Sequence, residues 1–149
     1  MSSGLYWDVI PMDNFIPRQY NYNFETGAVG TDDKNISAIY YDINLMEKKA
    51  TFVSDDENVL KEALNEAFFL ITDVKVHYNR FVKEFSEKLD KDAVAVVESV
   101  FSGVQESVRQ AQISFDADVK CAALHEMYKK MLAVVPNVKA LDDRSVGKI

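Results

Sequence analysis

Leu60, Leu64, Ala67, Ile71, Val74, Tyr78, Phe81 and Phe85 recur in alternating steps of four and three, with no Gly or Pro among them. That spacing puts all eight side chains on one face of an α-helix, and a face so apolar has to be covered by other helices. It predicts a helix over 55–89, opened by a capping box in Ser54-Asp55-Asp56-Glu57, where hydroxyl and carboxylate satisfy each other's orphan amides. At ~1.5 Å per residue such a helix runs about 50 Å. It stops near Leu89-Asp90-Lys91-Asp92, where Asp90 or Asp92 can cap the next helix.

A second stripe follows in Val94, Val97, Phe101, Val104, Val108, Ala111 and Phe115, and a third in Ile113, Ala117, Cys121, Leu124, Tyr128, Met131 and Val135. The two are out of phase. Continuing the second would bury Asp118 and Lys129, so the register slips between Gln112 and Asp116. The slip reads as a break between two helices, 92–112 and 115–135, in preference to one kinked helix. Pro136 is expected to end the last helix, leaving 137–149 as a mobile tail.

Upstream of Ser54 the pattern changes. Ile39, Tyr41, Ile43 and Leu45 alternate with Tyr40, Asp42 and Asn44, which predicts a β-hairpin over 36–53 with its turn at Met46-Glu47-Lys48-Lys49. A lone hairpin is marginal in water, so it needs a third strand, for which Tyr20–Phe24 is the candidate, or a helix to lie on. Residues 1–35 read as an extended aromatic arm carrying Trp7, Phe15, Tyr20, Tyr22 and Phe24 between turn residues. The expected fold is α+β and predominantly helical. An antiparallel bundle of three helices, or of two long kinked ones, carries the hairpin and the arm, with 36–136 as its single domain.

Composition narrows the function. A net charge of −7 and a pI near 4.8 disfavour a general binder of nucleic acid or anionic membrane, since both need a positive field. One cysteine, Cys121, excludes an internal disulfide and fits a reducing compartment. The first residues show no basic-then-apolar leader, and no apolar run reaches the ~20 residues of a membrane span. A cytoplasmic protein is expected.

Few residues offer chemistry. Cys121 and His125 lie one helical turn apart and could supply half of a zinc site or a thiol–imidazole pair, but further ligands are lacking and Cys121 sits on an apolar stripe. His77 reads as a boundary residue that would respond to pH if it faced a carboxylate. Glu62/Glu66 and Asp90/Asp92 read as solvated surface and cap charges. No glycine-rich phosphate loop, dinucleotide fingerprint or His-Glu-x-x-His occurs. No catalytic residue, cofactor or metal is expected.

The wide apolar stripes instead suggest a non-enzymatic interaction or assembly protein that associates with itself. Trp7, Phe15, Tyr20, Tyr22 and Phe24 of the arm, together with Phe81 and Phe85 at the far end of the long helix, are its expected contacts. A viral structural or host-directed accessory protein is one form this could take. The alternative is a nucleic-acid binder using Lys48 and Lys49 of the hairpin turn, Lys129 and Lys130, and Lys139, Arg144 and Lys148 of the tail, with aromatic stacking surfaces nearby.

Overall fold

Each helix starts at an aspartate. In a computed structural model that describes residues 33–147, Asp33, Asp56, Asp90 and Asp116 precede α1 (Lys34–Leu45), α2 (Glu57–Glu84), α3 (Lys91–Gln112) and α4 (Ala117–Ser145). All four carboxylates accept first-turn amides; those of Asp33 and Asp56 each take two, at 2.9–3.1 Å. Such a cap contributes about 1 kcal/mol to its helix. Ser54 therefore does not cap α2 itself. Its hydroxyl instead accepts from the Asp56 amide, which braces the residue that does.

The helices run antiparallel in sequence order. Asn35 meets His77 and Lys49 meets Glu66, so α1 and the 3₁₀ turn Met46–Lys49 run down α2 in reverse. Gln112 bonds Asn65 at 3.0 Å and Tyr78 donates to the Val94 carbonyl at 2.8 Å, which sets α3 against α2. α4 packs along α3 and closes on α1. The result is a four-helix antiparallel bundle with no strand among the described residues.

The expected β-hairpin over 36–53 is therefore corrected to a helix and a 3₁₀ turn, and the α+β class to an all-helical one. The segment carries two periods at once. Alongside the alternation of Ile39, Tyr41, Ile43 and Leu45 runs a helical set, Ile36, Ile39, Tyr40, Ile43 and Met46, and this is the set that is buried. Full burial of each such apolar side chain is worth ~1.5–3 kcal/mol, and as a helix α1 satisfies its backbone internally, whereas a hairpin would need a partner strand. Leu45, favoured by the strand reading, is instead exposed. The arm residues Trp7, Phe15, Tyr20, Tyr22 and Phe24, and the candidate third strand Tyr20–Phe24, lie outside the described residues.

Pro136 does not end α4, and the segment after it is not a loose tail. The helix continues to Ser145 with Pro136 inside it. The proline supplies no N–H to the carbonyl one turn earlier, yet it faces solvent. Val134, Val135, Val138 and Leu141 on the inner side are buried and carry the helix across the gap. In the core, Tyr78 meets Phe101 edge-on, with ring centroids 5.1 Å apart and planes at 88°, a preferred aromatic geometry.

Candidate interaction surface

Ile113 and Phe115, the residues where the two out-of-phase stripes overlap, point into solvent. Phe115 is fully exposed and Ile113 is 68% exposed. The turn that carries them is fixed by its own backbone. Ser114 N–H donates to the Ala111 carbonyl, the Ser114 hydroxyl accepts from Asp116 N–H, and Asp116 accepts from Asp118 N–H, all at 2.9–3.1 Å. Phe115 is thus held out by a pinned loop between two capped helices. Val119, in the first turn of α4, extends the apolar surface at 46% exposure.

Between this turn and the first turns of α2 lies a cleft of about 310 Å³. Leu64 is a buried lining residue, the Asn65–Gln112 hydrogen bond crosses it, and Lys61 and Lys120 also line it. The neighbouring connection, residues 50–56, is held onto α4 by two side chains that sequence alone offered as chemical. The His125 ring meets the Phe52 carbonyl at 2.5 Å, which requires Nε2 to carry the hydrogen, and the Cys121 thiol lies 3.5 Å from the Ser54 carbonyl. Both act as fasteners for the loop.

Phe81 is fully buried by this chain's own elements and Phe85 is half-buried against it, their ring centroids 5.2 Å apart. Neither stands uncovered at the end of α2; exposed Ile113 and Phe115 lie at the opposite pole, while Val96 on α3 and Val146 after α4 are exposed elsewhere. The described basic residues do not converge, and Lys148 lies outside the described residues. Lys49 is buried against Glu66, Lys139 pairs with Asp143 at 2.9 Å, and Lys129 lies about three to four turns along α4 from Lys139 and Arg144. No described helix is long and apolar enough to cross a membrane.

The other unusual cluster is internal. Asp42 of α1 and Asp73 of α2 are buried side by side, and no donor from elsewhere in the described residues hydrogen-bonds their four oxygens, which leaves the two carboxyls to bond each other. His77, also buried, sits with Nε2 3.6 Å from Asp73 and Nδ1 2.9 Å from the Asn35 amide oxygen. Burial, reinforced by the adjoining Asp73 carboxyl, holds the Asp42 carboxyl well above the usual carboxylate range. Burial pushes His77 the other way, below its ordinary value, against the pull of Asp73. Burial likewise raises the Tyr40 phenol, with Asp142 and Asp143 of α4 adding to it. The Asp73/His77 half of this cluster was readable as an i, i+4 pair on one face. Asp42 was not, because it lies on a segment read with the wrong period. Among the described residues no group of three or more His, Cys, Asp or Glu is placed to hold a metal ion.

These features define a small antiparallel four-helix bundle whose most distinctive external feature is an apolar pole. No protein family, curated protein or solved structure shows significant similarity to the chain.

Proposed function

We propose that this is a non-enzymatic interaction protein that docks another protein on the pole formed by the α3–α4 turn and the start of α2. The observation that supports it is the outward Phe115 on a pinned turn, backed by Ile113 and a cleft. A side chain of this size left in water forgoes ~1.5–3 kcal/mol that burial would return, and aromatic residues centred in apolar patches are typical anchors of protein interfaces. This reading keeps the interaction class expected from sequence and moves the contact from the far end of the long helix to the other pole. The test is benzoylphenylalanine at position 115, irradiated in cells making the protein. A discrete intermolecular adduct is expected, missing when the probe is moved to exposed Glu126 on α4. Equal labelling from both positions refutes the docking pole.

A further inference from the structure

The buried carboxyl pair joins two helices, and its place in the bundle gives it leverage over one of them. Asp42 stands on α1 and Asp73 on α2, at 0% and 1% exposure. Two adjoining carboxylates shut off from water do not both carry charge. With no donor from elsewhere in the described residues, one proton between them supplies the hydrogen bond and removes one of the two charges. The surroundings offer no substitute for that proton. His77 lies one turn along α2 from Asp73, and burial keeps it below its ordinary value, against the pull of Asp73 and with Arg80 adding to the effect. It is therefore neutral where a counter-charge would be needed. Asp33 at the start of α1 faces His77, and from α4 Asp142 and Asp143 face the phenol of Tyr40, two residues from Asp42. These three bring further negative charge.

α1 is also the helix placed to leave. It has 12 residues and packs chiefly on α2 and α4, whereas α2, α3 and α4 each pack against the other two. The Tyr78 ring on Phe101, and its bond to the Val94 carbonyl, tie α2 to α3 without help from α1. A short element at the margin of such a core opens as a unit, at less cost than global unfolding.

We propose that a proton shared by Asp42 and Asp73 is a latch that fixes α1 on α2, and that its loss as pH rises lets α1 open as a unit while α2, α3 and α4 stay packed. Opening carries Asp42 into water, where it ionises and gives the proton to solvent. Each pH unit above the ordinary carboxylate value of ~3.9 therefore favours the open form by up to about tenfold, until the closed pair itself ionises. The latch goes beyond the docking pole and does not depend on it.

The experiment is amide hydrogen exchange of the full chain, followed by NMR at pH 5, 6, 7 and 8, with each rate divided by that of an unstructured amide at the same pH. Wild type is compared with Asp42→Asn, which keeps His77 in place and takes away the ionisable partner. The α1 opening constant of the wild type is expected to rise against that of the variant by up to about tenfold per pH unit. At every pH the α1 amides should open more readily than those of Phe101 and Val104 in α3. NMR of the side-chain carboxyl carbons gives a second reading that needs no variant, with Asp42 expected to titrate well above ~3.9. A flat ratio across the series would overturn the latch. So would α1 and α3 amides that share one opening constant, or an Asp42 carboxyl that titrates in the ordinary range.

Discussion

Replacing Asp42 by Asn tests the buried carboxyl pair. Asp42 and Asp73 are fully enclosed, lie side by side and receive no donor but each other's proton, so the folded chain keeps a proton on Asp42 that the unfolded chain releases near pH ~3.9. A carboxyl whose folded pKa is raised gives its full stability below the unfolded value. It then loses stability with each further pH unit, until the folded pKa is reached. Within that window the loss is ~1.4 kcal/mol per pH unit, against a typical total of ~5–15 kcal/mol. His77, held below its ordinary value, has the opposite slope. Its stability is present above ~6.5 and lost as pH falls towards its folded value. His77 remains in both proteins, so the difference between wild type and Asp42→Asn isolates the carboxyl. Urea denaturation at pH 5, 6, 7 and 8 is the assay. Asp42→Asn should gain on the wild type as pH rises above 5, by up to ~1.4 kcal/mol per pH unit. A difference that stays flat across that range would show that the pair shares no proton in the folded state.

Other changes give sharper yes-or-no outcomes. Phe115→Ser should change stability by less than about 0.5 kcal/mol, because the ring touches nothing it would leave empty, whereas Phe101→Ala should cost ~3–5 kcal/mol; paired denaturation curves decide. Gly103 lies mid-α3 with open space where a Cβ would go, so Gly103→Ala should raise stability by about 0.5–1 kcal/mol. Pro136→Ala should stabilise α4 by ~1–3 kcal/mol, since the ring is exposed and its missing N–H is the cost, read as a higher Tm. His125→Ala should speed amide exchange in 50–56 and cost about 1–2 kcal/mol, with α3 exchange unchanged.

What sequence made legible was the long-range pattern. The eight-residue stripe of α2, the cap at Asp90 and the slip near Ser114 all correspond to real features, because each rests on many residues or on a backbone group that must be satisfied. The short segment was misread. Over 36–46 a period of two and a period of 3.6 share Ile39 and Ile43, and β-branched isoleucines weight the balance towards a strand. What decided it was tertiary, the availability of α2 and α4 as a surface for Ile36, Tyr40 and Met46. Pro136 misled because its penalty is local while the apolar series Val135, Val138 and Leu141 continues past it. Phe115 fitted the second stripe by number, but its helix has already ended at Gln112, so periodicity places the residue on a face that no longer exists there.

The unequal lengths of the helices divide the bundle into two unlike halves. α1 has 12 residues where α2, α3 and α4 have 28, 22 and 29, and the 3₁₀ turn that follows it reaches only the level of Glu66 on α2. Beyond that level a fourth helix gives way to a thread of six or seven residues, stitched to α4 at Phe52 and Ser54. Two side-chain links and the half-buried Phe52 ring substitute there for several turns of interlocked packing. Breathing motions will therefore begin at this half and leave the other closed, so the pole that exposes Phe115 is also the part of the molecule most able to remould itself around an arriving guest.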